Sequence, residues 1–398
     1  MLIRSFEVQN YKGFRDRQLV ELAPLTLFYG ENSSGKSALL RLLPWIAESM
    51  TDDRPGPTLD GEVGREALWA DLAYFNSPKH PIRITVSWSE GHKVQWAFRG
   101  GALPGSCELK TISLQGDRMV WHAEDDGDGS WQGQFPGVAG LLPSVEEEAW
   151  SQNVDCPKHK FAIDVQWLQG IRAPIPRVEK TLASEPKSLS STGEGVARFI
   201  YQWNRQARSD GERQSLEFVR EFFSQLGLVL NTSDVAPGFF RLDVAPLRNP
   251  TVAINLVDTG EGLTQVLAPL VALARAAYAN GPRVVCLEQP ELHLHTDAQR
   301  ALAVCIAKAA GAGAQVIIET HSEVLLAATQ LSIAIRPNRI SAQNVALYWI
   351  ERRDDPVSIA KRVSLDELGR VGGSWPIDAF GEMLALKGEL LSAQRSSL

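Results

Sequence analysis

The stretch Gly30-Glu31-Asn32-Ser33-Ser34-Gly35-Lys36-Ser37 fits the pattern G-x-x-x-x-G-K-S at every position. It follows the apolar run 25–29 and precedes a helical pattern over 38–48, which is the strand–loop–helix context of a phosphate-binding loop. Glycines let successive backbone N–H groups point around a phosphate, and the start of the following helix adds partial positive charge. The stretch therefore predicts an α/β P-loop nucleotide-binding fold.

The parts of this loop have distinct expected contacts with ATP and Mg²⁺. Lys36 supplies a cation to the β- and γ-phosphates, and the Ser37 hydroxyl is the expected Mg²⁺ ligand. The loop residues predicted to bind nucleotide are Gly30, Asn32, Ser33, Ser34, Gly35, Lys36, Ser37 and Ala38. ATP and Mg²⁺ are thus the expected cofactors.

A second stretch, 284–291, is an apolar strand that ends in acidic and polar residues, Val-Val-Cys-Leu-Glu-Gln-Pro-Glu. Strands of this kind direct a carboxylate toward the metal in P-loop folds. Many buried strands end in glutamate, so the pattern gains its meaning from the phosphate-binding loop earlier in the chain. Glu288 is therefore the second predicted Mg²⁺ ligand.

Two further stretches are candidates for contact with the γ-phosphate. The turn 258–265, Asp-Thr-Gly-Glu-Gly-Leu-Thr-Gln, opens a helix upstream of the acidic strand. The turn has a purely structural interpretation, as a tight turn with a helix cap. Its functional interpretation is a signature turn whose N–H groups contact nucleotide held by a partner subunit, through Thr259, Gly260, Glu261 and Gly262. The strand 317–322 ends in His321, which is either structural or a sensor of the γ-phosphate.

Bulk composition limits the class of protein. The chain has 398 residues, a net charge of −7, and hydrophobic and charged contents of 44% and 22%. These values are typical of a globular protein, and no run of 18 apolar residues predicts a membrane span. The four cysteines have no paired spacing, which favours reduced thiols and a cytoplasmic location. The acidic balance argues against wrapping nucleic acid by bulk electrostatics.

The pattern of elements predicts five segments. An N-terminal ATPase lobe with the phosphate-binding loop spans 1–100, a β-rich insertion 101–165, and a helical insertion 166–245. A C-terminal ATPase lobe spans 246–350 and carries the signature turn, the acidic strand and His321, followed by a helical extension over 351–398. Hairpins are expected to turn at Gly91 and within 125–129.

The order of these motifs resembles that of the ABC ATPase superfamily. The opening IRSFEVQNYKGFRDRQLVEL and the run LTLFYGENSSGKSALLRLL are similar to the heads of RecF, SMC and OLD (overcoming lysogenisation defect) proteins. The run LEQPELHLHTDAQRAL resembles the acidic strand and D-loop of OLD-like and AAA-family defence ATPases. The resemblance implies an ABC-type head that forms a homodimer around ATP. No acidic, glycine-rich nuclease segment follows the ATPase motifs, and no long coiled coil separates them. Effector activity is therefore expected from a separate nuclease or toxin.

One departure from the family concerns catalysis. The resemblance implies a glutamate base directly after the metal-binding acid, but this position is Gln289, which cannot accept a proton at neutral pH. Glutamine can still orient water, and Glu291 is the expected replacement base. The residues predicted to act in catalysis are Lys36, Glu288, Gln289, Glu291 and His321. We expect slow turnover and long-lived ATP-bound dimers.

Three functions remain open at this stage. The first is an ATP-driven switch for a partner effector, in anti-phage defence. The second is a RecF-like DNA-repair clamp, with candidate contacts at Lys12, Arg15, Arg17, Arg198, Arg205, Arg208 and Arg213, which are otherwise solvated surface charges. The third is an interaction module in which ATP is a structural ligand. His293 and His295 lack a third metal ligand at suitable spacing, so D-loop contacts across the dimer are favoured over a metal site.

Overall fold

A sheet of six strands carries the phosphate-binding loop at the end of one of its inner strands. The structure is a computed structural model that describes residues 2–51, 56–76, 80–103, 105–116, 120–125, 131–133, 138–143, 161–181, 188–335, 340–373 and 375–376. Across the sheet the strands are β11 (Val165–Leu168), β16 (Val284–Glu288), β17 (Gln315–Glu319), β3 (Leu25–Gly30), β18 (Val345–Arg352) and β19 (Ser358–Val363). All neighbours are parallel except β18 and β19, so the carboxyl ends of the five parallel strands share one edge.

This sheet separates two hydrophobic cores because its inner strands are buried on both faces. In β3, the alternate residues Leu25, Leu27 and Tyr29 belong to one core, whereas Phe28 belongs to the other. Successive side chains of a strand point to opposite faces, so a continuous apolar run is what a sheet covered on both sides requires. The apolar runs that the sequence shows before each motif follow from this position.

An antiparallel sheet of seven strands packs in the second core. Its order is β2-β1-β4-β5-β6-β7-β8. The strands are β1 (Ile3–Gln9), β2 (Gln18–Glu21), β4 (Ile82–Trp88), β5 (Lys93–Gly100), β6 (Cys107–Gln115), β7 (Val120–Asp125) and β8 (Trp131–Gly133), and the short pair β9 (Val138–Ala139) and β10 (Leu142–Pro143) follows. The same core includes residues of α1 (Lys36–Leu40) and α2 (Leu42–Met50), which continue from the phosphate-binding loop, whereas α3 (Trp69–Leu72) precedes the turn at 74–76.

Helices and a third sheet make up the other core. The helices are α4 (Val196–Gln206), α5 (Asp210–Gln225), α6 (Glu261–Gln265), α7 (Leu267–Tyr278), α8 (Thr296–Gly311) and α9 (Glu323–Ala334). The third sheet consists of β12 (Glu179–Lys180), β13 (Leu228–Ala236), β14 (Phe239–Pro246) and β15 (Ile254–Asn255). Within the described part of the chain, no helix is both long and apolar enough to cross a lipid bilayer.

Both expected hairpin turns fall between strands of the seven-stranded antiparallel sheet. The hairpin at Gly91 is confirmed, since β4 and β5 pair on either side of it. The strands that flank the second expected turn, β7 and β8, also pair, while residues 126–130 lie outside the described residues. Upstream of the signature turn, residues 254–255 pair with β14 and a 3₁₀ turn occupies Leu256–Thr259.

The expected segment boundaries also need correction in detail. Strands β6 to β8 continue the sheet that begins with β1, so the β-rich residues after 100 are not a separate layer. The helical segment 166–245 also contains the long hairpin β13–β14, and the C-terminal extension begins with strand β19. These differences have one cause. Pairing with strands that are distant in the sequence determines these elements, and a local sequence pattern does not report that pairing. Residues 377–398 of the expected helical extension lie outside the described residues.

Candidate functional site

Strand β3 leads directly into the phosphate-binding loop, and two glycines permit the backbone conformation of this loop. Gly30 has a φ of 145°, and a Cβ there would lie 2.0 Å from the carbonyl oxygen of Ile350 on the neighbouring strand. Gly35 has a φ of 111°, and its Cβ would lie 3.0 Å from the ring of Phe14. Any larger side chain at either position would force the loop away from its neighbours. The glycine pattern found in the sequence therefore has a steric basis.

Lys36 is buried and folds back over its own loop. Its Nζ donates to the carbonyl oxygen of Gly30 at 2.9 Å and to that of Glu31 at 2.6 Å. Burial lowers the pKa of the Lys36 amine, although the nearby Glu319 and Glu31 carboxylates oppose that shift. An incoming phosphate would offer this ammonium group a better partner than two neutral carbonyls.

A cavity of about 710 Å³ opens beside the loop. Its walls come from four parts of the fold. The residues that line it are Asn32, Ser33, Gly35, Lys36, Ser37 and Ala38 of the loop and following helix; Gln289, Glu319 and His321 from strand ends; Lys12, Gly13, Ala70, Asp71, Ala73 and Phe75 from the antiparallel lobe; and Arg352, Pro356 and Ser358 from the β18–β19 hairpin. Of the predicted catalytic set, Lys36, Gln289 and His321 line this cavity.

Glu288 ends strand β16 as predicted, and its carboxylate is already engaged. The guanidinium of Arg41 donates to both of its oxygens, at 2.5 and 2.7 Å, and the indole of Trp167 donates to one of them at 2.9 Å. A bidentate arginine is a strong partner for a carboxylate. Mg²⁺ at Glu288 would therefore compete with Arg41 for the same oxygens.

Glu319 is the acid next to the Ser37 hydroxyl, and the sequence analysis missed it. Ser37 Oγ donates to Glu319 Oε1 at 2.9 Å, and the parallel register places Glu319 directly beside Glu288. The other oxygen, Oε2, is buried and has no hydrogen-bond partner among the described residues. Burial, together with the Glu288 charge, raises the pKa of Glu319, whereas the Ser37 hydrogen bond opposes that rise. Two adjacent strands that both end in glutamate before a polar motif were the signal available in the sequence.

This donor set fits a divalent cation. Mg²⁺ usually binds proteins through one or two carboxylates, with phosphates and waters completing its ligands. Ser37 Oγ and Glu319 are in contact, Glu288 is the neighbouring acid, and the orphaned Glu319 Oε2 is a buried acceptor without a proton donor. These three residues would hold the ion, whereas the predicted set contained only Ser37 and Glu288.

Gln289 adopts an unusual backbone conformation at the edge of the cavity. Its φ is +38°, which is uncommon for a residue other than glycine and marks local strain. Its backbone N–H donates to the carbonyl oxygen of Glu319 at 2.8 Å, which continues the pairing of β16 and β17 by one residue. This conformation turns the chain sharply at the end of the strand, where the side chain lines the cavity.

The expected role of Glu291 as a replacement base does not fit the structure. Glu291 is buried and absent from the cavity lining, and its Oε1 accepts from Thr320 Oγ1 at 2.6 Å and from the backbone N–H of His321 at 3.0 Å. Burial raises the pKa of Glu291 in spite of these hydrogen bonds. Its position two residues after the strand end points it toward the next strand, so it supports the His321 segment from behind.

His321 follows strand β17 and reaches the cavity. Burial, with the nearby Lys36 charge, lowers the pKa of His321, so the ring is neutral at neutral pH. A neutral imidazole both donates and accepts one hydrogen bond. The ring is therefore able to contact a phosphate oxygen as a donor.

The signature turn lies on the surface, away from the cavity of its own subunit. Gly260 has φ 100° and ψ 159°, a region open essentially to glycine alone, and Gly260 and Glu261 are exposed. Gly262 packs against the D-loop, because a Cβ there would lie 2.5 Å from the carbonyl oxygen of His293. None of the four predicted turn residues, 259–262, is among those that line the cavity.

The two D-loop histidines lie beside acidic side chains rather than in a ligand cluster. His293 Nδ1 is 3.8 Å from Glu261 Oε2, and His295 Nδ1 is 4.0 Å from Asp297 Oδ2. No group of three or more metal-ligating side chains occurs in the part of the chain that the structure describes. The contact between His293 and Glu261 links the D-loop to the signature turn.

Arg172 is a second residue that sequence reasoning missed. It is buried in the loop after β11, and its Nη2 donates to the carbonyl oxygen of Glu288 at 3.0 Å. Burial lowers its pKa to about 10 despite the Glu291 and Glu288 carboxylates nearby. A lone arginine in the apolar run Ile-Arg-Ala-Pro was the available signal. The residue holds the carbonyl end of β16 in place.

Comparisons with known proteins support the P-loop ATPase fold. The family model described as "AAA ATPase domain" matches residues 1–115, and the one described as "AAA domain, putative AbiEii toxin, Type IV TA system" matches residues 199–327. The crystal structure of the SMC head bound to the C-winged helix domain of ScpA has a TM-score of 0.53 at 12% identity, over 92% of this chain and 99% of that chain. No curated protein is significantly similar in sequence.

Two further SMC head structures are similar at lower scores. The SMC head domain from Thermotoga maritima has a TM-score of 0.46 at 11% identity, over 92% of this chain and 100% of that one. The head domain with an extended coiled coil from Pyrococcus furiosus, bound to the C-terminal domain of ScpA, has 0.47 at 13%, over 91% and 96%. The fold and the site together define the class: this chain is a P-loop protein with the ABC-type ATPase head fold.

Proposed function

We propose that two copies of this chain enclose two molecules of ATP·Mg²⁺, and that the ATP-bound dimer switches a separate effector protein in anti-phage defence. One observation carries this proposal. The cavity at the phosphate-binding loop contains Lys36 and Ser37 but none of the signature residues, while Gly260 and Glu261 are exposed on the surface. An exposed turn with a backbone geometry that only glycine can adopt fits a role in completing the cavity of a second copy.

Each nucleotide would be held in the same way at both sites. Lys36 leaves its two carbonyl partners to bind the β- and γ-phosphates, and the backbone N–H groups of the loop surround them. Ser37, Glu319 and Glu288 would hold Mg²⁺, which neutralises charge on the phosphates when it is bound. The Gly260–Gly262 turn of the partner copy would then close over the γ-phosphate.

Hydrolysis in this dimer is expected to be slow. Gln289 lines the cavity but cannot take a proton from water, and Glu291 faces Thr320 and His321 instead. General-base help is typically worth about 10²–10⁴-fold in rate. A long-lived ATP-bound state suits a switch, because its lifetime sets how long the effector is controlled.

The position of Gln289 also favours a second candidate function, in which ATP is a structural ligand that is bound and never hydrolysed. The strained φ of +38° fixes this residue beside the cavity, so the glutamine is built into the site. Loss of the base while the binding residues are kept is what an interaction module would need.

The defence context rests on the family matched over residues 199–327, whose description names an AbiEii toxin of a type IV toxin–antitoxin system. That region carries the signature turn, the acidic strand and His321. In our proposal the toxin or nuclease is a separate chain that distinguishes the ATP-bound dimer of this protein from its monomer.

A DNA clamp fits the surface charges less well. Five of the seven candidate contacts face an acid: Arg15 with Asp16, Arg17 with Glu7, Arg198 with Glu179, Arg205 with Asp234 and Arg213 with Asp210. Lys12 lines the nucleotide cavity instead of the outer surface. Affinity for duplex DNA depends on many phosphates neutralised together, which these locally paired charges would not supply.

The first test is the mass of the protein in solution. Light scattering should show wild type doubling in mass with ATP·Mg²⁺, while Lys36→Ala keeps the mass of the nucleotide-free protein, because it lacks the cation for the phosphates. Phosphate release from the same samples should be well below one per second. An unchanged mass in both proteins argues against the dimer, and a rate above several per second contradicts the role given to Gln289. Bound ATP that stays intact over hours with Mg²⁺ would select the structural-ligand candidate.

A further inference from the structure

The cavity at the phosphate-binding loop has a second group of lining residues that the triphosphate does not need. These residues come from the antiparallel lobe and from the β18–β19 hairpin, and they include Lys12, Phe75 and Arg352. Phosphate contacts come instead from the loop and from the ends of β16 and β17. A nucleotide has one other large part, its base, which needs a flat apolar surface.

Phe75 is an aromatic ring that packing does not explain. Its side chain is 56% exposed, and its backbone is left-handed, with φ 42° and ψ 48°. A bulky residue in this conformation is a costly outlier that persists only where the surroundings enforce it. An exposed ring held at such a cost indicates a function for its exposed face.

The surrounding backbone enforces the position of this ring. Lys12 N donates to the carbonyl oxygen of Leu72 at 2.6 Å, Tyr74 N donates to that of Asn10 at 3.2 Å, and Tyr11 bridges to Ala73. The ring of Tyr74 also packs edge-on against Phe75, with centroids 4.6 Å apart. The segment that carries Phe75 is therefore fixed to the turn that follows β1.

The same turn is fixed to the phosphate-binding loop. Ser358 N donates to the carbonyl oxygen of Gly13 at 2.8 Å, and a Cβ on Gly13 would lie only 2.3 Å from Ser358 Oγ. Phe14 contacts Gly35, whose Cβ would lie 3.0 Å from its ring. Phe75 is thus held at a set position relative to the phosphates, which a base-binding surface requires.

Strand β18 brings a cation to the face of this ring. Ile350 pairs with Gly30, the first residue of the loop, and Arg352 follows two positions later at the end of the strand. The guanidinium carbon of Arg352 lies 6.0 Å from the centroid of Phe75. A planar cation over an aromatic face is the usual partner for a stacked base. A base between two such groups needs about 7 Å, twice the contact distance of stacked atoms, which a shift of the exposed Arg352 side chain would provide.

We propose that Phe75 is the nucleobase platform of this site, with Arg352 covering the other face of the base. This inference rests on the proposed binding of ATP at the same cavity. Stacking uses the π-face that every base has, so Phe75 favours a nucleoside triphosphate over a bare triphosphate chain.

The test compares two ligands that share phosphates and differ in the base. Equilibrium dialysis or calorimetry would measure the Kd of ATP and of inorganic tripolyphosphate, each with Mg²⁺, for wild type, Phe75→Ala and Phe75→Trp. Phe75→Ala should raise the Kd of ATP about tenfold, as expected for loss of one stacked base, and leave the Kd of tripolyphosphate unchanged. Phe75→Trp should restore ATP binding. The matched control is Phe239→Ala, another partly exposed ring, on β14, which should change neither.

The outcomes separate this inference from the function on which it rests. If wild type binds both ligands and Phe75→Ala keeps full affinity for ATP, the platform is wrong while the ATP site stands. Equal losses of ATP and tripolyphosphate in Phe75→Ala would show that the residue supports the loop as a whole, and this also overturns the platform. If wild type binds neither ligand, the proposed function fails and the platform fails with it.

Discussion

At the scale of single residues, the predicted magnesium site contains two glutamates on neighbouring strands, Glu288 and Glu319, where only Glu288 was expected. Glu288 is held by Arg41 and Trp167, whereas Glu319 contacts Ser37 and keeps one buried oxygen without a partner in the described residues. A buried carboxylate without enough donors destabilises the fold when it is charged, and a metal ion removes that cost. The Glu319 carboxylate therefore lowers the stability of the metal-free protein, and it provides a ligand when the metal ion binds.

We expect Glu319→Gln to be more stable than wild type without Mg²⁺, because an amide removes the buried charge. The gain should be on the order of 1 kcal/mol, the lower end of the cost of a buried polar group without a hydrogen-bond partner. The apparent melting temperature should rise by roughly 1 °C, because the entropy of unfolding scales with the 398 residues of the chain. Added ATP·Mg²⁺ should then raise that temperature less in the variant than in wild type, because ligand stabilisation follows affinity.

Differential scanning fluorimetry would measure these shifts. The exposed turn residue Glu90 offers a matched control, and Glu90→Gln should behave as wild type in both conditions. A Glu319→Gln protein that melts lower than wild type without Mg²⁺ and gains as much from ATP·Mg²⁺ would contradict the role of this carboxylate.

At the scale of elements, helix α9 fixes the residue before it. Ser322 is its N-cap: Oγ accepts from the backbone N–H of Leu325 at 2.9 Å and donates to Gln299 of α8 at 2.6 Å. Because the cap directly follows His321, the same hydrogen bonds that start the helix also set where the imidazole enters the cavity. Helix α5 has a similar cap, Ser209, which accepts from Glu212 N on the protein surface.

Removing each cap should loosen only its own helix. Ser322→Ala loses a cap and a buried hydrogen bond, which together are worth about 1–2 kcal/mol. Amide hydrogen exchange over 323–334 should accelerate about tenfold or more, whereas Ser209→Ala should accelerate exchange over 210–225 by a smaller factor. Ser322→Ala should also weaken the ATP-dependent dimer, and Ser209→Ala should leave it intact. Equal effects of the two variants on the dimer would contradict the link between this cap and His321.

At the scale of the whole molecule, the site is divided between two surfaces of one chain. The cavity is built from the loop, strand ends, antiparallel lobe and β18–β19 hairpin, and the signature turn is exposed elsewhere. If a second copy completes each site, two different damaged copies should be able to complement each other. A site completed within one subunit would not allow this.

We expect Lys36→Ala and Gly260→Asp to remain monomeric with ATP·Mg²⁺ when each is alone, and to form a dimer when mixed. The mixed dimer contains one intact site, formed by the loop of the Gly260→Asp chain and the turn of the Lys36→Ala chain, so it should retain one ATP. Aspartate at this φ of 100° would strain the exposed turn, but its Cβ would contact nothing within 4 Å in its own subunit, so the distortion should stay local and the variant should still bind ATP as a monomer. Light scattering with nucleotide quantification measures both quantities. A mixture that stays monomeric, or dimers of either variant alone, would refute the composite site.

Much of the site followed from local sequence. The phosphate-binding loop needed only its glycines, Lys36 and the apolar run before it, because strand, loop and helix are adjacent in the chain. The ends of β16 and β17 were equally readable, since buried strands appear as continuous apolar runs. Gln289 and His321 follow directly after these runs, so their positions at strand ends could be predicted for the same reason.

Only the tertiary structure decided which side chains meet. Register placed Glu319, rather than Glu288 alone, beside Ser37, and the turn after β16 directed Glu291 to Thr320 instead of the cavity. Phe75 and Arg352 are 277 positions apart in the sequence, yet the fold brings them together at the cavity. Sequence periodicity reports which face of an element is buried, but contacts between distant elements depend on how sheets and lobes pack, and no local pattern encodes that.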